Sequence, residues 1–166
     1  VFSHFFNCSG LTLSQKFLSS SVIVLANKGS MSRALCGEIM SNYAKKRGLA
    51  GIIIDGCVRD SYTLSQMDFP VYAKGITPNG PYKNGPGEMN FPVSFGGIII
   101  NPGDILVGDS DGLIAIDPKN AEELAKIAKA YHEGEENQLD GIINRGEWPR
   151  PWVQDSLEKV GFEFVD

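Results

Sequence analysis

The sequence predicts an α/β domain: a βαβ unit, then short antiparallel strands, then a C-terminal helix. Three observations carry this. Two β-branched apolar runs, residues 21–26 (SVIVLA) and 51–55 (GIIID), flank an amphipathic stretch. Five short apolar runs between residues 71 and 116 are separated by Gly, Asn and Asp turn signals. An Asp-Pro pair at 117–118 then opens a long segment with helical periodicity.

Residues 21–26 read as a buried strand, and Asn27, Lys28, Gly29 and Ser30 as a turn. A helix is expected within residues 32–47. Cys36, Ile39, Met40, Tyr43 and Ala44 would share its buried face, and Lys45, Lys46 and Arg47 would complement the C-terminal end of its dipole before Gly48 stops it. Residues 51–55 supply the second strand, and strand, helix and strand with short links imply a parallel pair. Residues 71–73, 91–95, 98–100, 105–107 and 113–116 read as short strands of antiparallel hairpins or a small barrel-like sheet, with Asp109-Ser110-Asp111-Gly112 as a hairpin turn. Asp117 would cap a helix running to about Asn137, buried along Leu124, Ile127, Ala128 and Tyr131, and a last short helix is expected over 153–160. The expected organisation is an atypical leader over 1–20, a domain over 21–140 and a tail over 141–166.

Composition narrows the function. The chain has 166 residues, 15 Lys and Arg against 20 Asp and Glu, and a formal net charge of -5. No basic run marks a nucleic-acid surface, and no apolar stretch approaches the roughly 20 residues that span a bilayer, so no direct nucleic-acid or membrane partner is expected. Two His and three scattered Cys (Cys8, Cys36, Cys57) offer no zinc spacing, which leaves a hard cation on oxygen as the expected metal. An odd number of dispersed cysteines points to a reducing, cytoplasmic setting. The leader's Phe2, Phe5, Phe6 and Phe17 are expected to bury against a core groove or another subunit.

The segment GIIIDGCVRD, residues 51–60, is the most informative. Ligand sites in α/β sheets collect at the carboxyl ends of parallel strands. There Arg59 could grip a carboxylate through a bidentate fork and Asp60 could hold a hard divalent cation. A bare Arg-Asp pair is equally what a surface ion pair or a turn-stabilising Asp looks like. Gly37, Glu38, Ile39 and Met40 open the first helix, where free N–H groups suit an anion, although an ordinary helix start reads the same. This topology brings that helix start and Arg59 to one sheet edge. The Gly-rich stretch 76–90 lacks GxxxxGK[ST] and is no P-loop; at its length it is functional or mobile. Cys36 and Cys57 read as small buried hydrophobes, and His132 as solvated.

In their order and spacing, these blocks resemble a known family. The run Gly-Glu-Ile-Met at 37–40, then GLAGIIIDGCVRD, PVYAKGITP and FPVSFGGIIINPGDILVGDSDGLIAI are similar to the RraA-like family, which holds 4-hydroxy-4-methyl-2-oxoglutarate aldolases and the regulator of ribonuclease activity A. The resemblance runs from about Val22 to about Asn137, with 21 residues between Gly37 and Arg59. It implies a swivelling β/β/α domain assembled as homotrimers or hexamers with sites between subunits. It also implies main-chain contacts from Gly37, Glu38, Ile39 and Met40 to a pyruvyl group, a carboxylate on Arg59, and Mg2+ or Mn2+ (or another divalent cation) on Asp60. Glu38 falls where the aldolases orient a metal-bound water, and Glu135 or Glu136 is the candidate for an acid reaching a neighbouring subunit.

Two departures stand out. The aldolases carry Asp or Glu three residues after the Asp of the pair, where this chain has Thr63. Family members also carry a longer N-terminal part, which makes this chain look like a fragment. The function expected is a divalent-metal-dependent lyase on 2-oxo acids, by retro-aldol cleavage to pyruvate or decarboxylation of an oxaloacetate-like acid. The alternative is a non-catalytic regulator that binds and inhibits an RNA-degradation enzyme.

Overall fold

Parallel strands buried on both faces must be apolar nearly throughout, and the centre of this chain meets that condition. The structure is a computed structural model describing residues 3–4, 21–84 and 87–162. Its main sheet has four strands in the order β1 (Ser3–His4), β2 (Val22–Cys36), β3 (Gly51–Val58) and β4 (Val71–Ile76), all parallel. All eight residues of β3 are buried. The crossovers are α1 (Glu38–Lys46) between β2 and β3 and α2 (Ser61–Gln66) between β3 and β4.

Residues 71–73, expected among the antiparallel hairpin strands, instead belong to β4, which pairs parallel with β3; the predicted βαβ unit itself is present, with two corrections. The first strand does not stop at residue 26. Lys28 (φ 51°) and Gly29 (φ 68°) turn left-handed, after which the chain resumes pairing as far as Cys36 opposite Val58. Residues 32–36, expected as helix, are therefore strand, because the end of β3 offers them hydrogen bonds that a local apolar period does not record. The buried face of α1 is correspondingly shifted. Ser41 and Ala44 are buried and Met40 packs on the core, whereas Ile39 and Tyr43 are exposed.

Two hairpins follow. β5 (Val93–Phe95) pairs antiparallel with β6 (Ile98–Ile100) through Gly96 and Gly97, both at positive φ. β7 (Ile105–Gly108) pairs antiparallel with β8 (Leu113–Ile116). The turn between the latter closes as predicted, with Asp109 Oδ1 accepting from the N–H groups of Asp111 and Gly112. The core has two parts. Ile23, Leu25, Ile52, Ile54 and Val58 pack on the helical face with Leu64 and Phe69, and Val24, Ile53 and Ile100 pack on the face carrying the hairpins.

The chain divides into two compact units, residues 1–121 and 122–166. At the start of the connecting helix Asp117 accepts from the Lys119 N–H, as its sequence predicts, but the first turn (Pro118–Asn120) is a 3-10 turn ahead of α3 (Ala121–Asp140). The second unit consists of α3, a single π turn (Gly141–Arg145) and α4 (Pro151–Lys159). Leu124, Ile127, Ala128 and Tyr131, expected as a buried stripe, are all exposed, so the helical period is right and the burial is not. The leader phenylalanines and Cys8 lie outside the described residues.

Candidate functional site

The carboxyl end of β3 and the start of α1 are tied by backbone: the Arg59 N–H donates to the Cys36 carbonyl at 3.0 Å, extending the β2–β3 pairing one residue beyond the strand. The next residue, Asp60, takes a left-handed conformation (φ 58°, ψ 36°), which short polar side chains adopt more readily than most. That turn ends the strand, starts α2 through the Asp60 carbonyl (accepting from the Leu64 N–H at 3.0 Å), and swings the carboxylate toward α1.

Asp60 Oδ2 accepts from the Glu38 N–H at 3.0 Å and lies 3.5 Å from Arg59 Nε. Gly37 makes this possible. A Cβ there would collide with Asp60 Oδ2 and sit 2.8 Å from Arg59 Cγ. Its φ of -154° is extended, so glycine is required for space and not for backbone freedom. No local side chain caps α1; a carboxylate 22 residues away in sequence caps it. The first turn of any helix leaves its N–H groups without intrahelical acceptors, and once Glu38 has taken Asp60 those of Ile39 and Met40 remain. Both described contacts of the Asp60 carboxylate use Oδ2.

Around this pair lies an open cleft of ≈ 530 Å³ whose lining includes Glu38, Arg59, Asp60, Tyr62, Thr63 and Ile76. Thr77 and Pro78 form its far wall. That wall is held by the Thr77 N–H on the Val58 carbonyl (2.9 Å), the Ala34 N–H on the Asn79 carbonyl (2.8 Å) and Arg33 Nη1 on the Gly80 carbonyl (2.8 Å). The Arg33 guanidinium also lies 4.0 Å from the centre of the Tyr82 ring. Part of the Gly-rich stretch thus belongs to the site. Its unusual length for an irregular segment is the sequence signal; nothing in its residue types marks Ile76, Thr77 or Pro78 as cleft residues. Tyr62 was likewise invisible, because the six-residue α2 is too short and polar to show a period.

Gly37, Glu38, Arg59 and Asp60 thus meet on one edge, and Ile39 and Met40 share the helix start. Thr63 lines the same cleft, three residues past Asp60. Glu135 and Glu136 lie on α3 in the second unit, where Glu136 pairs with His132 (3.6 Å). Cys36 and Cys57 are buried free thiols, and burial raises the pKa of Cys36, which argues against a thiolate nucleophile there. Buried Asp55 is occupied elsewhere, accepting from the Gly29 N–H at 2.8 Å and meeting Lys74 Nζ at 2.5 Å. Among the described residues no group of three or more His, Cys, Asp and Glu side chains could enclose a metal ion. A hard cation such as Mg2+ keeps several waters and typically takes one or two carboxylates, so Asp60 and Glu38 are the residues here that would hold one. Among the described residues no helix is long and apolar enough to cross a membrane.

A profile of RraA-like proteins, described as Aldolase/RraA, matches residues 12–115. A Halalkalibacterium halodurans protein named "Putative 4-hydroxy-4-methyl-2-oxoglutarate aldolase" is 40% identical over 126 residues, 74% of this chain and 60% of that protein. The chain spans only 57–60% of the length of such curated relatives. An uncharacterized protein of Pseudomonas syringae pv. tomato superposes with a TM-score of 0.75 at 26% identity, covering 87% of this chain and 70% of that one. The RNA-processing inhibitor RraA from Thermus thermophilis superposes with a TM-score of 0.62 at 27% identity, covering 69% and 72%. The sheet edge with its glycine, arginine and aspartate is therefore carried by a member of the RraA-like family.

Proposed function

We propose that the protein is a divalent-metal-dependent lyase that cleaves 2-oxo acids to pyruvate by retro-aldol chemistry or by decarboxylation. The observation that carries this reading is the meeting of Arg59, Asp60 and the start of α1 across Gly37, which supports an anion fork beside a residue suited to a cation. The aldolase names of relatives at about 40% identity support it.

Each residue has a distinct task. Arg59 binds the substrate carboxylate, and the N–H groups of Ile39 and Met40 orient the pyruvyl oxygens. Asp60 would hold the cation while its Oδ2 stays on the Glu38 N–H. When bound, the cation supplies Lewis-acid polarisation of the 2-oxo group. Glu38, exposed on the cleft edge, takes the proton from the 4-hydroxyl as the C3–C4 bond breaks, and a proton is returned to C3 to give pyruvate. In decarboxylation the C–C bond breaks to release carbon dioxide, and the same return of a proton to C3 completes the turnover.

Thr63 favours a second reading. An uncharged side chain at a cleft position three residues past Asp60 suits a non-catalytic protein of the regulator type, and the likeness to an RNA-processing inhibitor agrees with it. Pyruvate release measured with Mg2+ and with EDTA separates the two. The lyase reading expects metal-dependent release, with Arg59→Ala raising KM strongly because a charge-assisted bidentate contact is worth on the order of 2–4 kcal/mol. Thr63→Asp should then raise turnover with little change in metal affinity. The absence of pyruvate from any 2-oxo acid, together with co-purification of an RNA-degradation enzyme, would establish the regulator instead.

A further inference from the structure

We propose that Arg33 is a positioning residue of the site: through Gly80 it fixes the end of the Arg59 guanidinium and so keeps the anion fork aimed into the cleft. This rests on Arg59 as the carboxylate anchor in the reading above.

Arg59 does not hold one orientation unaided. Its side chain is 43% exposed, and its ion pair with Asp60 is 3.5 Å long and partly exposed on both sides. Such a pair is worth little, and a long side chain left free must be ordered again at every binding event. Two glycines wall it instead. At the stem, a Cβ on Gly37 would stand 2.8 Å from Arg59 Cγ and 3.1 Å from Nε. At the tip, a Cβ on Gly80 would stand 3.3 Å from Nη1. Both backbones therefore lie close enough to limit where the guanidinium can swing.

The two walls are placed by different means. Gly37 opens α1 directly after the last β2–β3 pair. Gly80 belongs to no helix or strand, and residues 32–34 of β2 hold its segment. Asn79 Nδ2 donates to the Ser32 carbonyl at 3.2 Å, and the Ala34 N–H donates to the Asn79 carbonyl at 2.8 Å. Arg33 Nη1 grips Gly80 itself, donating to its carbonyl at 2.8 Å. The same guanidinium lies 4.0 Å from the centre of the Tyr82 ring, so one side chain fastens the loop on both sides of Pro81. A planar guanidinium can donate in its plane while its face stacks, which an ammonium cannot do. Arg33 is not among the described residues lining the cleft, so its influence on a bound anion passes through Gly80 and Arg59.

The test follows the Arg59 Nε–Hε signal of the full chain by nitrogen-15 NMR without metal, assigned by its loss in Arg59→Lys, alongside a pyruvate titration in Mg2+. The Nε order parameter should lie near the rigid value of about 0.85 in the unaltered protein and fall below about 0.6 in Arg33→Ala. Pyruvate should then bind roughly 5-fold more weakly while the urea midpoint stays in place. Arg33→Lys, which keeps a donor for the Gly80 carbonyl, should recover the affinity to within about 3-fold. Gly80→Ala leaves Arg33 untouched, and it should shift the Arg59 signal and weaken pyruvate roughly 5-fold by crowding Nη1. An unchanged Arg59 signal in Arg33→Ala overturns the proposal, whatever happens to pyruvate. Equal affinities in Arg33→Ala and the unaltered protein overturn it as well. If the Arg59 signal responds to both variants but the unaltered protein binds no pyruvate, the positioning stands and the lyase reading fails. If pyruvate binds and is released with Arg33→Ala indistinguishable from the unaltered protein, the lyase reading stands and the positioning fails.

Discussion

The two faces of the parallel sheet are built to different standards. Among the described residues, the face covered by α1 and α2 holds ten buried apolar residues, among them Ile54 at 0% exposure, while the face carrying the two hairpins holds three, Val24, Ile53 and Ile100. Leu106 and Leu113 pack there only in part and line apolar hollows of ≈ 280 Å³ and ≈ 320 Å³. The candidate site stands at the edge of the well-filled face, where Cys36 and Val58 end their strands inside the same cluster that anchors α1. Precision at the site therefore draws on dense packing, and the hairpin face contributes little to it.

Mutations can break this contrast. Truncating Ile54 to Ala leaves a cavity in a filled layer and should cost about 2–5 kcal/mol in urea unfolding, whereas Leu113→Ala opens an existing hollow and should cost about 1 kcal/mol. Similar losses at both positions would erase the distinction. Gly37→Ala should be next in size, losing about 1–3 kcal/mol because neither Asp60 nor Arg59 can retreat without leaving its contact, with most of the pyruvate release lost as well. Asp60→Ala should lose about 1 kcal/mol with the distant cap, together with metal-dependent turnover. Asp60→Asn should keep the stability and still lose the turnover, which sharpens the separation of cap from cation ligand.

The smallest effect concerns pH. Burial raises the Cys36 thiol pKa above its ordinary 9.0, so the folded state holds that proton more tightly than the unfolded chain. The associated stability is fully present below pH 9.0 and declines as pH climbs through the folded-state pKa. Unfolding midpoints should fall in that alkaline range, and Cys36→Ala should flatten the fall.

What the sequence revealed follows from how local each feature is. The strands at 51–55, 98–100 and 113–116 are apolar runs bounded by turn residues, although the first continues past Asp55 to Val58, and the α1 start, Arg59 and Asp60 share an edge by topology alone. The extension of β2 to Cys36 was hidden because Asn27, Lys28, Gly29 and Ser30 read as an end, while its continuation depends on carbonyls of a strand far along the chain. The Asp60 cap on α1 was hidden for the same reason: both partners are visible as residues, but their meeting requires the left-handed turn at Asp60. Ile39 and Tyr43 satisfied the helical period but lie on its exposed side, since period fixes a face only to within one turn's rotation.

The irregular course of β2 gives the scaffold slack. From Ala26 to Cys36 the strand advances ten residues while its partner, from Asp55 to Val58, advances three, and the surplus is gathered at the shifts near Ser30 and Ala34. Pairing resumes at Cys36, one residue before Gly37. Changes in chain length between Ala26 and Ser30 would be taken up in that surplus before they could reach the helix start. The segment can therefore lengthen, shorten or vary over evolutionary time while the glycine, the arginine and the aspartate keep their relative positions.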